Sequence, residues 1–88
     1  MPPRLLKRPS PKAPRAARKA EQSGVVVLEV LVDENGKVTR TRVVSVSPPD
    51  LGFEEVAVKA ARKAKYEPAT LHGVEGKMWT ELRIEFSP

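Results

Sequence analysis

Eight consecutive residues, Val25 to Val32, constrain this chain more than any other stretch: seven are large and apolar and only Glu29 is charged. β-Branched residues dominate the run, Gly24 precedes it and Asp33-Glu34-Asn35-Gly36 ends it, so it reads as a strand. A half-exposed strand would alternate apolar with polar. Here both faces are apolar, with Val26, Leu28, Val30 and Val32 on one and Val25, Val27, Glu29 and Leu31 on the other. That pattern belongs to a strand in the middle of a small sheet, with a neighbour on each side and a layer over it.

The rest of the chain supplies those neighbours. Asn35-Gly36 tolerates the positive φ of a tight hairpin turn, so a second strand over Lys37 to Ser47 pairs antiparallel with the first. Its alternation is imperfect: Val38, Val44 and Val46 share a face with Arg40 and Arg42, while Val43 points the other way. A β-bulge near Arg40 to Arg42 would restore the register. Pro48-Pro49 ends the strand, and Asp50 is a suitable N-cap for a helix reaching about Lys65. At 100° per residue Phe53, Val56, Ala57, Ala60, Ala61 and Ala64 form one stripe. Glu54 and Glu55 near its start and Arg62, Lys63 and Lys65 near its end match the helix dipole. Pro68 forbids continuation. Ala69 to Gly76 reads as a loop with a turn at Gly73-Val74-Glu75-Gly76. The last strand, Lys77 to about Phe86, alternates Met78, Thr80, Leu82, Ile84 and Phe86 inward with Lys77, Trp79, Glu81, Arg83 and Glu85 outward.

The fold expected is therefore α+β: a small ββαβ domain with a three-stranded antiparallel sheet, one main helix on one face and a short N-terminal helix. The first strand is central and the last has a free outer edge. The opposite face, with Val25, Val27, Leu31 and Trp79, is left partly open unless the short helix or another chain covers it.

At 88 residues there is room for one domain, and an apolar fraction of 40% is ordinary for a small module. No run approaches the roughly 18 apolar residues of a membrane span, and no signal-peptide pattern opens the chain. The chain is thus either cytosolic or a piece of something longer. Absence of cysteine excludes disulfides, thiol catalysis and thiolate metal sites. Charge is unevenly spread. Residues 1 to 23 carry seven basic groups against Glu21 alone, a net of +6, whereas the remainder carries nine basic and ten acidic groups, a net of −1. Five of the nine prolines (Pro2, Pro3, Pro9, Pro11 and Pro14) lie in that basic tail. Residues 1–13 read as an extended, basic, Pro-rich linker and 14–88 as the folded domain. From Pro14 to Glu21 the composition favours a short helix with Pro14 as its first residue, which must dock through Ala16, Ala17 and Ala20 to persist.

Chemistry is sparse. Asp33-x-Asn35-Gly36 is a turn, since the later calcium ligands and the closing glutamate of an EF-hand loop are missing. Gly73-x-x-Gly76 lacks the basic residues and flanking helices of a nucleic-acid-clamping KH loop. His72 has no partner with which to share a metal, and no nucleophile has an evident base. No catalytic, cofactor or metal site is expected, and the chain reads as a binding module and not an enzyme.

Several residues together resemble the C-terminal domain of the TonB energy-transducer family. They are Pro11-x-x-Pro14 followed by Ala17-Arg18, Gly24-x-Val26, Gly36-x-Val38, Val43-Val44-Ser45, Phe53-Glu54, Ala60, Arg62 through Tyr66-Glu67-Pro68-Ala69, and a glycine-led last strand ending at Phe86. The resemblance covers about residues 11 to 86. It departs from the family at Ala13-Pro14, where Tyr-Pro is usual, and at Ser10, where glutamine often stands; both positions contribute to transporter contact in the family. It implies a periplasmic domain at the end of an inner-membrane-anchored protein, joined to its membrane helix by a charged, Pro-rich linker. It further implies an ExbB/ExbD-type motor driven by proton-motive force, and an outer-membrane TonB-dependent transporter whose "TonB box" adds to the sheet by β-augmentation. Carried onto this sequence, the partner-binding residues are Lys77, Met78, Trp79, Thr80, Glu81, Leu82, Arg83 and Ile84, with Pro11 and Pro14.

Alternatives remain open from the residues alone. A divergent, TolA-like envelope component or one serving gliding or secretion shares the expected fold. The +6 tail suits nucleic acid or an anionic surface, but with Trp79 the only aromatic on an outer face, nucleic acid is not the expected partner. A homodimer joined through free edges is a third possibility.

Overall fold

A computed structural model describes residues 1–88. In chain order the elements are β1 (Arg4–Leu5), α1 (Arg15–Lys19), β2 (Gly24–Val32), β3 (Val38–Ser47), α2 (Phe53–Arg62), β4 (Tyr66–Glu67), β5 (Ala69–Leu71), β6 (Val74–Gly76) and β7 (Met78–Phe86). The main sheet is antiparallel with order β3-β2-β7, so the domain has the expected α+β, ββαβ architecture with β2 at its centre.

β2 pairs with β7 without interruption, from Gly24 opposite Phe86 to Val32 opposite Met78. Its burial alternates strictly. Val26, Leu28, Val30 and Val32 are wholly buried against Phe53, Ala57 and Ala61 of α2 and beside Leu82, Ile84 and Phe86 of β7. Alanines on the buried stripe of α2 let the helix axis approach the strands closely. The Phe53 and Phe86 rings, with centroids 4.9 Å apart and tilted by 41°, join the start of the helix to the end of the last strand. A Cβ on Gly24 would lie 2.5 Å from the Phe53 ring, so the missing side chain makes room for that ring. Val25, Val27 and Leu31 on the opposite face are only half-buried.

β3 is irregular at two places, one at Thr39 beside the expected Arg40 to Arg42 and a second, unexpected one at Val44. Val27 faces Ser45 while Leu28 faces Val43, leaving Val44 extra; Leu31 faces Arg40 while Val32 faces Val38, leaving Thr39 extra. Each inserted residue flips the face presented by the residues beyond it. Val38, Thr41, Val43 and Val46 consequently share the helix side, and Val44, not Val43, is the exposed valine at 57%.

Four further expectations are corrected. Asp50 sits at φ 66 in the left-handed region, outside the extended conformation of a capping residue, and α2 instead starts at Phe53 after Gly52 (φ 84) with no side-chain cap. The helix stops at Arg62 because Lys65 is taken into a bridge with Lys37 and the Tyr66 amide donates to the Gly36 carbonyl. In α1, Pro14 precedes the helix, and the docked residue is Ala17, next to buried Ala13; Ala16 and Ala20 are exposed. The expected loop at Ala69 to Gly76 is a hairpin, β5 against β6, turning through His72 (φ 52) and Gly73 (φ 80). Two successive positive φ values give a turn whose twist matches that of paired strands.

Residues 1–6 are extended and pinned. Arg4 and Leu5 pair with Glu67 and Tyr66, the Leu6 amide donates to Lys65, and Met1 exchanges bonds with Thr70. No helix is long and apolar enough to cross a membrane, and no three His, Cys, Asp or Glu side chains gather around a potential metal position.

Gly36 fixes this corner. At φ +80 its Cβ would fall 1.9 Å from the Tyr66 carbonyl oxygen. Gly36→Ala should cost more than about 2 kcal/mol, from strain plus displaced backbone. Gly73→Ala, with the same φ and nothing near its Cβ, should cost only about 1 kcal/mol. Urea unfolding of both variants tests the difference, and equal losses would remove the steric explanation.

Candidate functional site

The last strand has one partner. β7 is bonded to β2 on its inner side and no strand pairs with its outer side. In a strand the N–H and C=O of one residue point the same way and alternate between the two edges. The Arg83 carbonyl accepts a hydrogen bond from Arg8 Nη1 at 3.4 Å, on the side away from β2. By that alternation the outward row consists of the backbone groups of Trp79, Glu81, Arg83 and Glu85, while Met78, Thr80, Leu82, Ile84 and Phe86 bond to β2. Unpaired donors and acceptors in a regular row are what an added strand requires.

Beside this edge runs a groove of about 820 Å³. One wall is β7 from Thr80 to Glu85; the other is the N-terminal tail at Pro3, Leu5, Arg8, Pro9 and Ser10, and Tyr66 closes its floor. The tail is held there by the ladder that joins residues 1–6 to 65–70 and by the Arg4–Glu67 ion pair. Of the contacts between tail and edge, the Arg8 bond is long and made by an exposed side chain, so it is a weak latch.

Side chains along β7 divide between faces. Leu82, Ile84 and Phe86 are core, and Thr80 is half-buried. Met78, on the same face as Val32 but beyond the reach of α2, is 45% exposed. On the helix-free face the Arg42 guanidinium lies 4.6 Å from the centroid of half-buried Trp79 and donates to Glu29 Oε1 at 2.8 and 3.1 Å. Arg83 donates to Glu85 at 3.1 Å. These exposed pairs contribute little to stability, but they order the charged row beside the free edge.

Among the residues singled out from the sequence, Met78, Trp79, Thr80, Glu81, Leu82, Arg83 and Ile84 all lie on β7, and Lys77 lies just before it. Pro11 and Pro14 are elsewhere. Pro11 lines a separate groove against α2, and Pro14 packs near Gly52 at the start of that helix. Sequence reasoning misses two groove residues. By residue order Arg8 is only linker charge, and Tyr66 is one member of a Tyr-Glu-Pro-Ala motif with no role of its own. Tyr66 is 5% exposed and its hydroxyl has no hydrogen-bond partner. Burial pushes its phenol above the ordinary 10.0, with the Arg8 cation acting in the opposite direction.

The family model described as Gram-negative bacterial TonB protein C-terminal matches residues 9–88. The chain belongs to this family. It is 35% identical over 77 residues to Protein TonB of two strains of Xanthomonas campestris pv. campestris, covering 88% of this chain and 34% of each relative. The chain thus spans about a third of the length of those curated relatives. At the two positions where its sequence departs from the TonB pattern, Ala13 is buried in the core and Ser10 is exposed between the two grooves.

The single tyrosine makes the tail's position measurable. In absorbance titration Tyr66 should ionise above pH 10, and deleting residues 1–10 should return it toward 10 by letting water reach the ring. Because the folded pKa is the raised one, this group's contribution to stability is complete below about pH 10 and is lost as pH climbs from there through the folded value. Tyr66→Phe should abolish that alkaline loss and leave neutral-pH stability unchanged or raised by up to about 3 kcal/mol, since it removes a buried hydroxyl that has no partner. An unchanged titration after the deletion would mean that the tail does not cover this ring.

Proposed function

We propose that this domain grips an extended segment of an outer-membrane transporter by β-augmentation on the outer edge of β7, and passes on pulling force from an inner-membrane motor. The observation that carries the reading is the unpaired backbone row of Trp79, Glu81, Arg83 and Glu85 beside an open groove. Membership of the TonB C-terminal family supports it. In this reading the domain works in the periplasm, at the end of a longer protein whose membrane anchor engages an ExbB/ExbD-type complex. The incoming segment is a TonB box, and the cargo passes through the transporter it belongs to.

Magnitudes favour a reversible grip. About five new backbone bonds at roughly 0.5–1.5 kcal/mol each give about 2.5–7.5 kcal/mol gross. Association alone costs on the order of 4 kcal/mol or more, so pairing by itself is weak and the side chains of the outward row must supply selectivity. Force along the added strand loads its bonds in shear, all at once. That geometry lets a weak complex survive a brief pull. The strand enters where Arg8 now touches the Arg83 carbonyl, and it displaces that latch.

The test is a cognate transporter peptide titrated into ¹⁵N-labelled protein. Amide shifts should concentrate on Met78 to Phe86 and leave Val38 to Val46 nearly unmoved. N-methylation of the peptide amides that face β7 should weaken binding at least about tenfold, the loss of two bonds, whereas methylation of the alternate amides should be tolerated. Shifts confined to β3, or indifference to both methylation patterns, would rule out augmentation at this edge. Light scattering during the titration should show one chain per complex.

A further inference from the structure

On its other side the tail makes a second groove, of about 720 Å³, against α2. Its floor is the apolar strip Val56, Ala60 and Ala64, and Pro9 and Pro11 face that strip from the tail. Five cations surround it: Lys7 and Arg8 on the tail, Lys59 and Lys63 along the helix, and Lys65 just beyond. No carboxylate lines this groove, and none of the five takes part in an ion pair. Lys7 and Arg8 come from the basic tail, but Lys59, Lys63 and Lys65 belong to the part of the chain that is net acidic, so their convergence here is a local arrangement. It is a local field awaiting an anion.

We propose that this groove binds an extended acidic peptide segment with carboxylates at alternate positions. The spacing argues for a chain. Lys59 and Lys63, four residues apart at about 1.5 Å rise, are separated by about 6 Å along the axis. Carboxylates two residues apart recur every ~6.6 Å on one face of a strand and so meet successive helix lysines; in polyproline II they recur every ~6.2 Å but turn by about 120°, so that acids facing the helix wall alternate with acids facing Lys7 and Arg8 on the tail wall. The apolar strip receives the residues between them. A membrane surface is disfavoured because the cations line two walls of a cleft and do not share a plane. Nucleic acid is disfavoured because no aromatic side chain lines the groove to stack a base. This groove and the β7 groove share Arg8, Pro9 and Ser10 of the tail but ask for different chemistry. The outward strand edge offers backbone bonds, whereas this groove offers charge and an apolar floor.

A peptide of alternating glutamate and proline tests the two apart, because each proline fixes φ at about −65° and holds the repeat in polyproline II, a poor match to a strand edge. Titrated into the full 88-residue chain at low salt, it should shift the amides of Lys59, Ala60, Lys63 and Lys65 and leave Trp79 to Glu85 unmoved. A glutamine–proline repeat of the same length should not bind, and raising salt should weaken the glutamate peptide. Lys59→Glu with Lys63→Glu should weaken it at least about tenfold, from two surface charge contacts reversed. Arg40→Glu with Lys19→Glu, the same change in net charge away from both grooves, should weaken it less than about threefold. Lys59→Gln with Lys63→Gln gives an intermediate loss and guards against misfolding of the charge-reversed protein. Equal losses from both reversed pairs, shifts spread over all basic residues, or binding only to phosphatidylglycerol vesicles or inorganic phosphate would overturn the proposal.

Discussion

The central strand is used on three sides. Its two edges are bonded to β3 and β7 and one face is sealed by α2, so Val26, Leu28, Val30 and Val32 lose all contact with water. The other elements are shaped by satisfying that strand. β3 takes two extra residues so that its own valines reach the helix, α2 carries alanines so that it lies close, and β7 matches β2 residue for residue. With only three strands in the sheet, the requirement that β2 be central leaves β7 terminal. The free edge on which the proposed grip depends is thus the reverse side of the core's own demand.

The N-terminal tail decides how accessible that edge is. Because residues 1–6 pair with residues 65–70, the basic segment after them is held between the last strand and the main helix, with a groove on each side. The two grooves differ in chemistry. One offers unpaired main-chain groups and a buried tyrosine hydroxyl without a partner; the other offers cations over an apolar strip. An unmade hydrogen bond on a buried hydroxyl costs on the order of 1–3 kcal/mol, and the single side-chain latch at Arg8 is long. The segment at Arg8 is therefore inexpensive to move, which suits the strand addition proposed above.

Much of this is legible in residue order. Seven apolar residues in eight announce an interior strand, Asn35-Gly36 announces the hairpin, and the clean alternation from Met78 to Phe86 announces the partner on the other side. The irregularities of β3 are visible as a broken alternation, but their positions are not. A single bulge would leave Val38 and Val46 on opposite faces; two return both to the helix side, and packing against α2 selects the pair that also turns Val43 in and Val44 out. Asp50 is a good cap by residue type, yet its backbone is committed to the turn that delivers Phe53 to Gly24 and Phe86.

Residue order is enough to set the elements and to pick out the central strand, because hydrophobic periodicity is a local property fixed by spacing. It also points to the strand proposed here to carry the partner residues, through family motifs that survive at 35% identity. The closed fold is needed to place the tail, to cover Tyr66, and to set Lys59 and Lys63 opposite Lys7 and Arg8 across a cleft. Those are contacts between segments more than about fifty residues apart, set by which backbone groups remain unpaired once the core has closed, and no local pattern encodes them.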